Sequence, residues 1–230
     1  MTIQITINDD LSRFSDYVSV KDISSDGKVV KEEYLMTVDQ LVSVLQRSEY
    51  SPANEPSIPV QSPILPDNGF KHVWREQGQT QDVYTFVPAQ QYDIRVHDTF
   101  IENVGFPSMI FCYQLDDSKI TNLRVVAVKE KDMSEISENT EIYRFPFSNV
   151  QRSEVCMGAN PFPKIESVRE LKTLHNFFIT IPFTNEWFDA NSNNSDVYDL
   201  RELFNSVQGQ AFPTEWLSSE GITFNQFFRY

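Results

Sequence analysis

A chain of 230 residues that is 40% hydrophobic and carries 18 Phe has enough apolar content to bury a sizeable core, which argues against a disordered segment. Its 33 Asp and Glu against 19 Lys and Arg give a formal net charge of −14, which opposes the Lys- and Arg-driven counterion release behind phosphate-backbone binding. That leaves a solubilising surface, or a face for a basic partner, as the reading of the charge.

No run of about 18 apolar residues occurs, so no membrane-spanning helix is expected. Met1 to Ile7 alternates as a strand does and lacks the basic and apolar regions of a signal peptide. Two cysteines, Cys112 and Cys156, make no disulfide framework, and with three scattered His they make no zinc spacing. Free thiols in a reducing cytoplasm are expected, with no metal and no cofactor.

The Ile-Gln-Ile-Thr-Ile alternation of residues 3–7 predicts a half-buried strand. Asp26-Gly27 marks a turn between the strand-like stretches Tyr17–Ile23 and Lys28–Met36. Thr37 and Gln40 are spaced as a capping box, and Val38, Leu41, Val42 and Leu45 form the stripe of a helix running to Gln46. Residues 1–50 thus form an N-terminal ββα extension, either a docking element or a plain extension of the sheet. Prolines 52, 56, 59, 63 and 66 then break any helix, so 51–66 is an extended connection and 67–230 the core.

In the core, Phe70–Glu76, Asp82–Val87, Tyr92–His97, Ser108–Leu115 and Leu123–Lys129 are rich in β-branched and aromatic residues, as strands are. Turn chemistry joins them at Gln77-Gly78, Pro88-Ala89, Gly105-Phe106-Pro107 and Asp116-Asp117-Ser118. Consecutive strands with short links predict an antiparallel meander. Cys112 sits in the continuously apolar run Met109–Tyr113 and reads as a small buried hydrophobe.

Next comes YRFPFSNVQRSEVCMGAN, residues 143–160. Pro146 takes the chain out of a strand, Ser148 and Asn149 cap and turn it, and Gln151–Glu154 is a polar run. Cys156 is therefore expected on a surface loop, with Gly158 free to adopt positive φ. Beyond it, Ser167 and Glu170 form a second capping box for a helix over 168–178. Pro182 breaks the run that follows, 189–196 is a polar loop, and Asp199–Phe204 and Thr223–Phe228 read as short closing helices or turns. Strands first and helices after predict an α+β fold with the helices on one face of the meander.

Three segments in this order carry a resemblance. GFPSMIFCYQL with LRVVAV (105–115, 123–128), YRFPFSNVQRSEVCMG (143–158) and HNFFITIPFTNEW (175–187) resemble the ubiquitin-conjugating-enzyme superfamily. More narrowly, they are similar to its prokaryotic family D, which includes PRTRC system protein B. The middle segment resembles that family's P-x-x-N-V…V-C-x-G signature, and the likeness spans about residues 82–190. It implies a ubiquitin-conjugating-like fold in which Cys156 accepts a ubiquitin-like protein as a thioester from a ThiF-type activating enzyme. The acyl group would then pass to an acceptor, with a JAB-type peptidase in the same system. Asn149 would stabilise the oxyanion, or would simply close the turn, since Asn is a leading turn residue.

There are departures from the pattern. Phe147 and Ser148 stand where the eukaryotic pattern has His-Pro before the Asn, and Asn185 replaces the histidine of an F-T-H segment. General-base help is thereby removed unless His175 supplies it, and a packed histidine is the plainer reading of His175. Arg152 favours the Cys156 thiolate and Glu154 opposes it. Two further readings of the chain stand beside the carrier. One is an inactive relative serving as an interaction module; the other is a cysteine hydrolase using Cys156 and His175. The carrier reading requires a thiol not walled in by phenylalanines, and strands that are consecutive and antiparallel.

Overall fold

The computed structural model describes residues 2–7, 13–24, 33–47, 62–75 and 80–228. Asp26-Gly27, Gln77-Gly78, prolines 52, 56 and 59, and the first part of the predicted strand 28–36 lie outside the described residues. The chain divides into two compact units, Met1–Pro59 and Val60–Tyr230. None of the described helices is long and apolar enough to cross a membrane.

In the first unit, β1 (Thr2–Thr6), β2 (Tyr17–Ile23) and β3 (Tyr34–Thr37) form an antiparallel sheet in that order, followed by α1 (Val38–Arg47). Period-2 alternation buries Val18 and Val20 of β2 and turns Tyr17 outward. The capping box closes as spaced. Thr37 Oγ1 accepts from the Gln40 amide at 3.2 Å, and Gln40 Oε1 accepts from the Thr37 amide at 3.0 Å. Three strands precede the helix, one more than the ββα description allows, and the extra one is the Ile3–Ile7 alternation itself.

The second unit opens with β4 (Gly69–Arg75) and β5 (Thr80–Val87), then β6 (Gln90–Val96), β7 (Thr99–Phe106), β8 (Ser108–Asp116) and β9 (Lys119–Val128). β10 (Glu141–Tyr143), β11 (Val150–Gln151) and β12 (Glu154–Val155) follow. Last come α2 (Leu171–Ile179), α3 (Leu200–Ser206), β13 (Ser219–Thr223) and α4 (Phe224–Phe227). The main sheet runs β11-β12-β9-β8-β5-β4, with β10 bridging β9 and β13, and every strand pairing in it is antiparallel.

The uninterrupted meander is not observed. β5 pairs with β8, and β6 and β7 leave the sheet as a separate two-stranded hairpin. The excursion begins at Pro88 and ends at Pro107, just past the last β5–β8 pair, Val87 with Met109. Neither proline has an N–H for the ladder, so pairing stops there and the chain between them pairs with itself. β7 was not expected, and Gly105, read as a turn, lies within it. A Cβ at Gly105 would come 2.3 Å from the Gln210 carbonyl oxygen, so only glycine permits this backbone approach.

Both faces of the sheet are covered, which corrects the expectation of helices on one face only. The larger core receives Leu171, Phe178 and Ile179 from α2, Leu203 and Phe204 from α3, and Ile94, Val96, Ile101 and Val104 from the hairpin. Its centre is aromatic, with Phe147 4.5 Å from Phe204 and 4.6 Å from Phe106 between ring centroids. On the other face Tyr84, Phe86, Ile110, Cys112, Val126 and Val128 pack under Phe224 and Phe228 at the C-terminal end. Cys112 is thus the buried hydrophobe expected, and burial pushes its thiol up to about 12. The Ser167 capping box forms on a single 3-10 turn, Val168–Glu170, that leads into α2, with Glu170 Oε1 accepting from the Ser167 amide at 3.0 Å. Asp199 caps α3 by accepting from the amides of Arg201 and Glu202.

Candidate active site

Cys156 is positioned by what precedes it. Phe145 and Phe147, 4% and 1% exposed, anchor the chain in the aromatic core on either side of Pro146. This fixes where the backbone leaves β10 and where Ser148 and Asn149 begin. Ser148 is fully buried, and its hydroxyl has no hydrogen-bond partner among the described residues. Asn149 turns the chain at φ 63°, a left-handed conformation that Asn tolerates better than most residues.

The expected surface loop is a tight β-hairpin. Val150 pairs with Val155 and Gln151 with Glu154, leaving Arg152-Ser153 as a two-residue turn. Both turn residues have positive φ, 47° and 72°, the arrangement that matches strand twist in a type I′ turn. The hairpin is joined to β9 on the side away from β8. Glu154 pairs with Arg124, the Val125 amide donates to the Ser153 carbonyl at 2.8 Å, and Arg124 Nε donates to Ser153 Oγ at 3.1 Å.

One further ladder bond sets the two candidate residues opposite each other. The Cys156 amide donates to the Asn149 carbonyl at 2.8 Å. Val155 packs against the larger core and Met157 lies in it, so strand alternation turns Cys156 to the other side, the side of Glu154. Cys156 is half-buried, free of any disulfide, and belongs to neither core cluster. Beyond it Gly158 takes φ 56°, and a Cβ there would meet nothing within 4 Å, so the backbone opens to solvent.

Asn149 also ties the hairpin to a second segment. Its Nδ2 donates to the Pro182 carbonyl at 3.0 Å, and its Oδ1 accepts from the Thr184 amide at 3.4 Å. A primary amide has two N–H donors, so one is left after the Pro182 bond. The structure therefore brings together Cys156, Asn149 and, through the Asn149 amide, the segment that ends in the exposed Asn185. Sequence spacing gave no sign of this tie, because it joins positions 33 and 35 residues apart.

His175 has different surroundings. It is 8% exposed on α2, its ring 5.9 Å from Phe111 and 6.3 Å from Tyr92. Burial holds the imidazole below its ordinary pKa, against a smaller opposing effect from the Lys172 backbone. Among the described residues no hydrogen bond joins it to Cys156.

Beside the hairpin lies an open groove of about 520 Å³, lined by Val150, Arg152, Arg144, Phe145, Trp187 and Phe188 among others. Trp187 is 40% exposed and held at φ 61°. An aromatic wall thus lies along the hairpin that presents the thiol, together with Arg152, Asp189 and the Arg144–Glu220 pair at 3.2 Å. Sequence reasoning gave Trp187 no role, although an exposed Trp beside a Pro-containing break is a visible signal.

These features define an α+β domain that presents a part-exposed cysteine on a sheet-edge hairpin, with an asparagine directly across the ladder. The chain matches prokaryotic E2 family D over residues 50–219, and it belongs to that family. The match extends beyond residues 82–190 at both ends. Comparison with curated proteins and with solved structures found no match. Family membership points to an E2-like function.

Proposed function

We propose that this protein is a ubiquitin-conjugating-like carrier. It takes a ubiquitin-like protein as a thioester on Cys156 from a ThiF-type activating enzyme and passes it to an acceptor, in a system of the PRTRC kind that also includes a JAB-type peptidase. The observation that carries this reading is the half-buried Cys156 set across a hairpin ladder from Asn149 in a chain of the E2-like family. In the loading step the Cys156 thiolate attacks the acyl carbon of the activating enzyme's thioester. A new C–S bond forms, the old one breaks, and the activating enzyme's cysteine leaves as thiolate. In the discharge step an acceptor amine or thiol attacks the same carbon, the bond to Cys156 breaks, and an amine acceptor's proton passes to solvent.

Asn149 has one N–H left for the oxyanion that develops in both steps, and its Pro182 and Thr184 bonds hold the amide in one orientation. The groove of about 520 Å³ along Arg152 and Trp187, with polar and aromatic lining, is where the incoming chain end would lie. The half-buried Cys156 outside both cores supports the reading, whereas the strands are antiparallel but not strictly consecutive, as the reading had required. The proline-bounded β6–β7 excursion leaves the β8–β9–β12 succession that holds the hairpin intact.

Incubation with ATP, a ThiF-type enzyme and the ubiquitin-like protein is expected to give an adduct that reductant removes and that Cys156→Ala fails to form. No adduct in a mixture where the activating enzyme is itself charged would overturn the carrier reading in favour of the inactive interaction module. That second reading draws on one observation, the prior engagement of the Asn149 amide. The hydrolase reading has no comparable support, because His175 is buried between rings without a bond to the thiol.

A further inference from the structure

The face of the sheet that carries Cys112 is apolar at one end and polar at the other. Phe224, Phe227 and Phe228 cover the apolar end. At the polar end Arg75, Asp82, Gln114, Asn122, Arg124 and Glu154 surround a recess of about 190 Å³, with the Cys112 thiol also lining it. The strand register builds it. Asp82 lies opposite Gln114, Gln114 opposite Asn122, Cys112 opposite Arg124, and Arg124 opposite Glu154, so the side chains share one face across four strands.

Two groups in the recess point to a ligand. Asp82 is 1% exposed, and its Oδ2 takes both Arg75 Nε at 2.8 Å and Arg75 Nη2 at 2.6 Å. Its Oδ1, equally buried, has no donor among the described residues. A buried carboxylate oxygen without a donor is costly, and its demand is for an N–H or O–H. At the rim, Arg124 is held by its Nε bond to Ser153 and lies over the rings of Phe227 and Phe228 at 4.6 and 5.1 Å. Among the described residues no carboxylate pairs with it within ion-pair distance, so its terminal N–H groups are donors for an anionic partner. The recess thus holds two guanidinium groups and two carboxylates. Its local charge is balanced even though the chain as a whole is at −14. A bare cation would meet Arg75 and Arg124, and a bare anion would meet Asp82 and Glu154. A molecule carrying both charges satisfies both ends.

We propose that this recess binds a small amino-carboxylate zwitterion, with its ammonium on Asp82 Oδ1 and its carboxylate on Arg124. The volume suits a free α-amino acid with a small side chain. The site does not depend on thioester chemistry, so it is tested in the full chain carrying Cys156→Ala as well as in the native one.

The test follows backbone amide resonances of Asp82, Cys112, Gln114 and Arg124 while glycine, L-alanine, methylamine or sodium acetate is added at constant ionic strength. Glycine or L-alanine is expected to shift them saturably with a Kd below about 10 mM, while methylamine and acetate bind at least about tenfold more weakly. Asp82→Asn is expected to weaken zwitterion binding by about tenfold or more. Because that change also disturbs the Arg75 pair, Asn122→Leu, which puts an apolar side chain in the recess and keeps the pair, is the second variant and is expected to abolish binding. If neither zwitterion produces saturable shifts, if acetate or methylamine binds as well as glycine, or if folded Asn122→Leu binds unchanged, the proposal is overturned and the recess holds solvent or an adventitious ion only.

Discussion

Asn149 shows how one residue serves two links of the chain from sequence to function. Its left-handed backbone starts the hairpin, and its side chain ties that hairpin to the Pro182–Thr184 segment. Asn149→Ala removes two hydrogen bonds and puts a Cβ-only residue at φ 63°, so destabilisation of about 2 kcal/mol is expected in chemical unfolding. If the remaining N–H also meets the oxyanion, Asn149→Ala lowers discharge of the Cys156 thioester by about 10²–10³-fold under conditions where it is still folded. A change in stability with an unchanged discharge rate would assign the residue to the turn alone. His175 gives a pH test at the same scale. Burial lowers its folded pKa beneath the ordinary 6.5, so the unfolded chain takes up the proton first as pH falls. The stability it contributes is complete above about pH 6.5 and declines as pH drops through the lower folded value. In melting curves from pH 7.5 to 5 the native chain is expected to lose stability relative to His175→Leu, whichever is the more stable at pH 7.5. Parallel curves would contradict the shift.

Among the elements, strand stretches with β-branched and aromatic residues were legible, and β2 runs from Tyr17 to Ile23 as its pattern indicated. So were the capping boxes at Thr37 and Ser167, whose spacing is itself the hydrogen-bond geometry. The thiol hairpin was not legible. Its strands are two residues each, and Arg152-Ser153 lacks the Asn-Gly signature that announces a type I′ turn. The β6–β7 excursion escaped for a different reason. Pro88 and Pro107 read as links in a meander, whereas in the fold they mark where β5–β8 pairing must stop. The same excursion sets a clear expectation for Gly105. With the Gln210 oxygen 2.3 Å and the Phe212 nitrogen 2.8 Å from its Cβ position, Gly105→Ala forces the backbone of 210–212 away. A loss of about 1–3 kcal/mol is expected in urea unfolding, and a variant within about 0.5 kcal/mol of native would contradict that close approach.

At the scale of the molecule, composition set limits and left the chemistry open. A net charge of −14 bears on partners and solubility and says nothing about which sulfur reacts. Two cysteines could carry an acyl group, and the fold separates them. Cys112 sits between sheet and C-terminal aromatics with its thiol pushed up to about 12, while Cys156 stands outside both cores at the end of an edge hairpin. A thiol with so high a pKa is almost entirely protonated at neutral pH, and the thiolate is the nucleophile. What matters most, then, is which cysteine bears the adduct. Intact-mass analysis of the charged protein, followed by peptide mapping without reductant, reads this directly. The carrier account expects a gain equal to the ubiquitin-like protein less one water, located on the peptide containing Cys156 and released by thiol. An adduct on Cys112 or on a lysine, or one that survives reductant, would contradict it.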